Sequence, residues 1–366
     1  MSEPRAIGGY PIVGELGRGG AGVVYEARHP KLDYPVALKL LSARGGAWER
    51  QRRRFEREVL ALGRLSGPHV VHVIEAGEHG GSPWLAMNFV EGEDLEQWIS
   101  RRGPLPIEDA LRLGRQLCAA LDEAHQVGVF HRDVKPANVI RQPSGDFVLT
   151  DFGLAKHELL EESITLSRSG LISGTPGYFA PEQAKGSESS AATDVYLVGA
   201  TLYAALTGEP PFLKGSLIEA VVATREEPPR PPRELRAELP PAFEEVVLRC
   251  LAKEPSQRYP SAQALQEALT AAATSARAGL QPSERGVLLV SALLLFALSV
   301  GTLALALASR GEAEPDVALA TPRPLPSSSA SAAPTLAPSP APTRPGVPES
   351  PAELEQRIAA WKEAIR

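Results

Sequence analysis

The chain has 366 residues, a formal net charge of -6 and 43% hydrophobic residues. That length permits two or three domains and at least one large hydrophobic core. The mildly acidic balance gives no basis for a nucleic-acid surface. The two cysteines, Cys118 and Cys250, lie in apolar helix-like stretches. We therefore expect buried thiols in a reducing compartment, not a disulfide or a metal site. Residues 1–9 have no apolar core, so no signal peptide is expected.

A glycine-rich stretch, residues 17–22, follows a strand-like run that begins at Tyr10. Gly17, Gly19 and Gly22 have the spacing G-x-G-x-x-G, which lets backbone amides come close to phosphate oxygens. Dinucleotide-binding folds use the same spacing before a helix. Here the β-rich residues 23–27 follow instead, so the pattern favours a strand, a turn and a second strand.

Lys39 lies in the middle of an apolar strand-like run, residues 36–40. Burying a lysine is costly unless it is paired, so either its head reaches water at a sheet edge or a carboxylate approaches it. Residues 48–65 have helical periodicity and follow directly. Glu58 is the acid within their apolar face, so we expect it to pair with Lys39; Glu56 is the alternative.

A long amphipathic helix, residues 107–128, leads into His131-Arg132-Asp133. Lys135 and Asn138 follow in the same short loop, and a strand-like run, residues 147–150, then ends in Asp151-Phe152-Gly153. Phosphoryl transfer needs a carboxylate for the attacking hydroxyl, a cation near the phosphate and oxygen ligands for Mg²⁺. Asp133, Lys135 and the pair Asn138 with Asp151 are of those types.

These motifs resemble the catalytic loop and the magnesium-binding triplet of eukaryotic-type protein kinases. A lysine two residues after the aspartate resembles the serine/threonine branch of that family. Features of this kind run from residue 10 to residue 272. The resemblance implies an α+β fold with two lobes, a small β-rich N-lobe and a larger helical C-lobe. Two departures are noted: Asn88 replaces a usual acid, and Gly67 replaces a frequent histidine.

The resemblance also implies ATP and Mg²⁺ as cofactors and protein serine or threonine hydroxyls as substrates. Asp133, Lys135, Lys39 and Glu58 would be catalytic, and Asn138 and Asp151 would hold the metal. Met87 would lie behind the adenine, and the backbone from Asn88 to Val90 would bind it. The residues implied in nucleotide binding are Leu16, Gly17, Arg18, Gly19, Gly20, Ala21, Gly22, Val23, Val24, Ala37, Lys39, Met87, Phe89 and Val90.

The segment between Gly153 and Ala180 is polar and rich in hydroxyl side chains. In the family, an arginine at the position of Arg132 pairs with a phosphate on this segment. We therefore expect autophosphorylation of Ser167 and Ser169, and of Thr165 as a further site. Thr175 is expected to contact Asp133 and Lys135. By the same resemblance, Asp194 would cap the catalytic-loop backbone, and Glu182 would pair with Arg258.

Residues 286–309 contain no charged side chain and are long enough to cross a bilayer of roughly 30 Å. Residues 273–285 would be a juxtamembrane linker. Residues 310–349 are rich in proline, alanine and serine and are expected to form a disordered stalk. Residues 350–366 have helix-capping and amphipathic features. So short a helix is marginal alone, which leaves open a partner, a homodimer or a frayed tail.

Flanking basic residues do not fix the orientation of this span. From the need for ATP and the expected lack of a signal peptide, we expect residues 1–285 in the cytoplasm and the tail outside the cell membrane. The whole chain then resembles the bacterial transmembrane serine/threonine kinases of the eukaryotic-like class. Two rival functions stay in view: a pseudokinase scaffold without transfer, and a small-molecule kinase. The intact Lys39, Asp133 and Asp151 oppose the first, and Ala180-Pro181-Glu182 opposes the second.

Overall fold

A computed structural model describes residues 4–19, 22–42, 47–152, 177–212 and 216–278. Its N-terminal part is a six-stranded antiparallel sheet with the order β1-β2-β3-β4-β6-β5. The strands are β1 (Ala6–Ile7), β2 (Tyr10–Gly19), β3 (Gly22–Arg28), β4 (Pro35–Leu41), β5 (Val73–His79) and β6 (Ser82–Asn88). The small β-rich lobe expected from the sequence is therefore confirmed.

The glycine-rich stretch joins β2 to β3, whose register runs up to the pair Gly19 and Gly22. The two predicted strands and their antiparallel pairing are thus confirmed, and Gly20 and Ala21 between them lie outside the described residues. Gly22 has φ 146°, and a Cβ there would lie 2.1 Å from the carbonyl oxygen of Leu40. Only glycine fits at this position, because β4 passes directly beneath it.

Successive side chains of β4 point to opposite faces of the sheet. Val36 and Leu38 are fully buried in an apolar cluster with Tyr10, whereas Ala37 and Lys39 point to the opposite face. Helix α1 (Ala47–Leu62) follows β4, close to the predicted residues 48–65. Its buried Phe55, Val59 and Leu62 belong to the main core.

The C-terminal part is helical, as expected. Its core element is the helix Ala191–Thr207, which is buried on all sides and packs against the helices Ile107–Gln126 and Pro241–Cys250. The helices are α2 (Leu95–Arg102), α3 (Ile107–Gln126), α4 (Pro181–Ala184), α5 (Ala191–Thr207), α6 (Leu217–Glu226), α7 (Pro232–Leu235), α8 (Pro241–Cys250) and α9 (Ala262–Ala278).

Two predictions about this helical core are confirmed. The apolar stripe of α3, from Leu111 to Ala124, is buried. Cys118 and Cys250 are free and buried, and burial raises the pKa of both thiols. A Cβ at Gly199 would lie 2.4 Å from the Cβ of Cys250, so glycine allows α5 and α8 their close approach.

A second sheet has three strands, the last two of which follow the catalytic loop in the chain. Its order is β7 (Glu93–Asp94), β8 (Val139–Arg141) and β9 (Phe147–Leu149), and a 3₁₀ turn, Pro136–Asn138, precedes β8. Val70, from the chain between α1 and β5, forms a parallel bridge with Leu149. This sheet therefore joins the chain from α1 to the strand that leads into Asp151.

Within these described ranges, no helix is both long enough and apolar enough to cross a membrane. The predicted span 286–309, the linker from 279 onward, the stalk 310–349 and the terminal helix 350–366 lie outside the described residues. The same holds for residues 153–176, with Ser167, Ser169, Thr165 and Thr175.

The predicted ion pair between Glu182 and Arg258 is present at the start of α4. Arg258 Nη1 and Nη2 donate to the two carboxylate oxygens at 2.7 and 2.8 Å, and the arginine side chain is 0% exposed. Burial raises the pKa of Glu182, but the hydrogen bonds and charge of Arg258 outweigh it and the pKa is lowered.

Replacing Glu182 by alanine leaves the Arg258 charge buried without its carboxylate. We expect Glu182→Ala to lower the free energy of unfolding by about 3–5 kcal/mol. Urea titration measures this, with the exposed Glu188→Ala as the matched control. Because the folded pKa is lowered, the pair stabilises above the unfolded pKa and is lost as pH falls through the folded one. A loss equal to that of the control would contradict this prediction.

Candidate active site

Asp133 lies in the loop between α3 and β8, where several polar groups converge. Asn138 Nδ2 donates to its backbone oxygen at 2.7 Å and to its carboxylate Oδ2 at 2.8 Å. Lys135 Nζ is 3.5 Å from the same Oδ2. The chain from Asp133 to Asn138 folds back through the 3₁₀ turn Pro136–Asn138, which brings the side chains of Asp133, Lys135 and Asn138 together.

Arg132 has φ 65°, a left-handed conformation that an arginine rarely adopts. Its peptide groups are held on both sides: its N–H donates to Asp194 Oδ1 at 2.7 Å, and its carbonyl accepts from Gln183 Nε2 at 2.8 Å. Strain of this kind costs about 1–3 kcal/mol and persists where neighbours fix it. The predicted cap by Asp194 is confirmed, and His131 N also donates to it at 2.9 Å.

His131 is fully buried beneath Phe152, with ring centroids 4.5 Å apart. Its Nε2 is 2.8 Å from the carbonyl oxygen of Thr150, and its Nδ1 accepts the Asp133 N–H at 3.3 Å. Burial lowers the pKa of this imidazole, although the charge of Asp194 opposes it. A neutral ring with the proton on Nε2 satisfies both contacts, so His131 ties the catalytic loop to the end of β9.

Lys39 does not pair with Glu58, which corrects the expectation from the sequence. Lys39 Nζ lies 2.9 Å from Asp151 Oδ1, and Glu58 Oε1 lies 3.5 Å from Arg132 Nη1. The Glu58 carboxylate is thus directed to the catalytic loop and not to β4. The lysine is therefore paired, as burial requires, but with the acid that follows β9.

The predicted nucleotide-binding residues form two rows across the upper sheet. In the first row, Gly17 pairs with Val24 and Val24 with Lys39; Leu85, which was not predicted, pairs with Lys39 on the next strand. In the second row, Ala37 pairs with Met87. Directly opposed residues share one face of a sheet, so these rows line a single surface. The remaining predicted members lie on β2 and β3: Leu16, Arg18, Gly19, Gly22 and Val23. Arg18 is exposed and pairs with Glu15 at 2.5 Å, and Gly20 and Ala21 lie outside the described residues.

The strand β6 ends at the junction between the lobes. Met87 is 5% exposed, and Phe89 and Val90 follow it half-buried. The Asn88 N–H donates to the carbonyl of His72 at 3.0 Å, and Asn88 also faces Val36 of β4. The purine contact through the backbone of Asn88 to Val90 stays a prediction.

The residues predicted for Mg²⁺ provide hard oxygen donors. Asp151 has φ 58° and aims its carboxylate at Lys39, and Asn138 is 6% exposed. The amide nitrogen of Asn138 faces Asp133, which leaves its oxygen for a cation. In the part of the chain that the structure describes, no group of three or more His, Cys, Asp or Glu side chains could hold a metal. Two protein ligands suit Mg²⁺, which usually keeps waters and phosphate oxygens as its other ligands.

Comparison with known proteins agrees with this geometry. The family model described as protein kinase domain matches residues 10–270. The chain belongs to the protein kinase family. It is 39% identical over 270 residues to the serine/threonine-protein kinase pkn3 of Myxococcus xanthus, covering 72% of this chain and 49% of that protein. It is 39% identical over 256 residues to PknH of Mycobacterium tuberculosis, covering 70% and 40%.

The crystal structure of the Mycobacterium tuberculosis PknI kinase domain is similar to this protein kinase with a TM-score of 0.59 and 31% identity. The similarity covers 73% of this chain and 97% of that one. The chain spans about half or less of the length of the curated relatives it matches. The recognised family and the two-lobed fold are thereby confirmed.

Several residues that shape this kinase site were missed from the sequence. Gln183 Nε2 donates to the Arg132 carbonyl, and the Thr150 carbonyl lies at hydrogen-bond distance from His131 Nε2. His125 Nε2 lies 2.8 Å from Asp194 Oδ2. Their partners are between 19 and 69 residues away in sequence. No local pattern marks such contacts, although His125 near the end of the helix that leads into the catalytic loop is a signal that could have been followed.

Proposed function

We propose that the chain is a serine/threonine protein kinase that transfers the γ-phosphate of ATP to hydroxyls of proteins. One observation carries the proposal: Asp133, Lys135, Asn138, Lys39 and Asp151 converge between the two lobes. The names of the relatives support the choice of serine and threonine as acceptors. Lys135, two residues after Asp133, favours the same choice.

In this proposal Asp133 orients the acceptor hydroxyl and takes its proton. The Asn138 amide nitrogen, 2.8 Å from Oδ2, fixes the carboxylate that would accept the hydroxyl proton. Lys135, 3.5 Å from the same carboxylate, balances charge beside the transferring group. Because Asn138 and Lys135 flank Asp133 in one turn, a small displacement of this turn would misplace all three.

The residues present fit a magnesium-bound triphosphate. A Cβ at Gly17 or Gly19 would meet no atom of the described residues within 4 Å, so these glycines adjoin open space and do not relieve a packing clash there. Lys39 would hold phosphate oxygens, and Asp151 and Asn138 would ligate the metal. When bound, ATP with Mg²⁺ supplies the phosphoryl group and the charge that stabilises its transfer.

Glu58 is proposed to reach Lys39 when Asp151 turns to the metal. In the structure Glu58 instead lies beside Arg132, and a phosphate on residues 153–176 would compete for the same guanidinium. The exchange would release Glu58 and hold the segment at Arg132. We therefore extend the proposal to autophosphorylation at Ser167, Ser169 and Thr165.

The purified chain with Mg²⁺ and labelled ATP is expected to label itself or an added protein on serine or threonine. Asp133→Asn keeps the size of the side chain but removes the base, so the rate should fall about 10²–10⁴-fold. Binding of ATP should stay within about threefold of wild type, because Asp133 does not contact the nucleotide in this account. No label with the wild-type chain would favour a pseudokinase scaffold, and label confined to small molecules would favour the other rival.

Mass-spectrometric mapping of the same labelled chain tests the regulatory part. Phosphate on at least one of Ser167, Ser169 and Thr165 is expected in the wild type and in none of them in Asp133→Asn. Active wild-type protein without phosphate between residues 157 and 174 would defeat this part and leave the transfer reaction standing.

The proposal places the chain in the cell membrane. Residues 286–309 would form its single span, with the kinase domain, residues 10–272, in the cytoplasm and the tail outside. Two observations support it: the uncharged run has the required length, and the proposed reaction needs cytoplasmic ATP. A homodimer through residues 350–366 remains a proposal on their amphipathic pattern alone.

Membrane extraction tests the span in the full chain. The wild type should stay in carbonate-washed membranes, whereas Leu295→Arg with Leu298→Arg should be released. Each arginine near the centre of a span costs about 2.5–3.5 kcal/mol of insertion free energy. Leu295→Ile with Leu298→Ile is the control and should be retained. Release of the wild type, or digestion of the kinase domain by protease added outside intact cells, would contradict the placement.

A further inference from the structure

The chain between α1 and β5, residues 63–72, is attached to the strand that leads into the catalytic site. Val71 N donates to Leu149 O at 3.0 Å, and Leu149 N donates to His69 O at 2.9 Å. His69 Nδ1 also lies 3.1 Å from Phe147 O. We call residues 63–72 the α1–β5 connection. Its far end is thereby fixed to β9, two residues before Asp151.

The near end of the connection continues α1 without a break. Gly63 N donates to Val59 O at 2.9 Å, and Leu65 N donates to Leu62 O at 3.0 Å. Leu65 is 4% exposed and packs in the main core. The backbone at Ser66 is therefore coupled to the last turn of α1, which begins just after Glu58.

Glu123, on α3, holds this backbone. Its Oε1 accepts the N–H of Ser66 at 2.6 Å and that of Gly67 at 3.1 Å, and its Oε2 accepts the latter at 3.0 Å. Hydrogen bonds to a carboxylate are stronger than neutral ones. Glu123 lies one turn before the end of α3, which delivers His131, so it ties the end of α1 to the start of the catalytic loop.

Gly67 and Glu123 are shaped for each other. A Cβ at Gly67 would lie 2.2 Å from Glu123 Oε2, and its backbone φ is not in the left-handed region that favours glycine. Glycine is thus needed here for room and not for conformation. This accounts for the departure at Gly67 noted in the sequence: the carboxylate occupies the space that a side chain would take.

Hydrogen bonds connect Gly67 through His72 to Asn88, at the junction between the lobes. His72 Nε2 lies 2.8 Å from Gly67 O, and His72 N donates to Asn88 Oδ1 at 2.5 Å. The Asn88 N–H returns a hydrogen bond to His72 O at 3.0 Å. The second departure, Asn88, therefore has a structural role: its amide oxygen holds the β5 end of the connection.

Resting on the proposed function, we infer that Glu123 is a positioning residue for phosphoryl transfer. By holding the amides of Ser66 and Gly67, it fixes the end of α1 relative to α3. This sets how far Glu58 lies from the catalytic loop and from Lys39. Glu123 touches no reacting group, so its effect passes through α1 and not through the nucleotide surface.

The first test compares Glu123→Ala with wild type in the full chain. Hydrogen exchange at Ser66, Gly67 and the last turn of α1 should become faster. Misplacement on the order of 1 Å lowers kcat about 10- to 100-fold, while KM for ATP should change by less than about threefold. Asp122→Ala is the matched control, because this neighbouring carboxylate accepts a hydrogen bond from Gln126 Nε2 on its own helix at 2.8 Å and, among the described residues, makes none with the α1–β5 connection. It should leave exchange and kcat unchanged.

The second test uses the fit between Gly67 and Glu123. Gly67→Ala should displace the carboxylate and lower kcat about as far as Glu123→Ala. The double variant should be no worse than Glu123→Ala alone, since the added methyl group then has room. Losses that multiply would mean two independent effects and would overturn the assignment.

Arg236→Ala is the control that distinguishes a positioning role of Glu123 from a role in stability alone. Arg236 donates to Leu105 O at 2.7 Å and to Leu206 O at 3.3 Å, away from the cleft. It should lower thermal stability without lowering kcat. If Glu123→Ala loses a similar amount of stability but keeps a normal kcat, the assignment of Glu123 is overturned and the proposed function still stands. A wild-type chain that transfers no phosphate would overturn the proposed function, and the assignment with it.

Discussion

The catalytic loop depends on one buried carboxylate. Asp194, on α5, is 0% exposed and accepts the N–H groups of His131 and Arg132, with His125 Nε2 also at hydrogen-bond distance. A carboxylate taken out of water without partners is very costly, and here each oxygen is satisfied. The left-handed backbone at Arg132 follows from this contact, and that backbone turns Asp133 towards the cleft. The buried helix thus sets the conformation of the loop.

The charges of the cleft are paired with one another in the described structure. Lys39 lies with Asp151, Arg132 lies with Glu58, and Lys135 with Asn138 flanks Asp133. Such pairs keep partly buried charges from being stranded, but they also occupy the groups that the proposed reaction uses. Binding and transfer in this account therefore proceed by exchange of partners, with α1 and the Asp151 backbone as the elements that change.

Local chemistry made much of the site predictable. The residues from Asp133 to Asn138 lie in one short loop. The β-rich residues after the glycine stretch predict the paired strands β2 and β3, and the stripe of α3 has plain helical periodicity. The contacts of Asp194 and of Glu182 with Arg258 came from the family resemblance, since their partners are 62 to 76 residues apart. The nucleotide and metal roles remain proposals.

The partner of Lys39 could not be predicted, because it depends on where α1 lies against β4 and not on any pattern within α1. Glu123 was missed for a related reason: on α3 it resembles an ordinary polar-face acid, and its partner Gly67 is 56 residues away. Gly67 was recognised as unusual, but a missing side chain does not indicate what fills its place. Packing between distant segments decides both cases.

Hydrogen exchange of Asp194→Asn in the full chain tests the central claim most directly. The variant keeps the shape of the side chain but replaces one acceptor oxygen by a donor and removes the charge. The account predicts much faster exchange at His131 and Arg132, with α3 and α5 still protected, and loss of phosphoryl transfer. Unchanged protection of these two amides would contradict the claim that this carboxylate sets the catalytic loop.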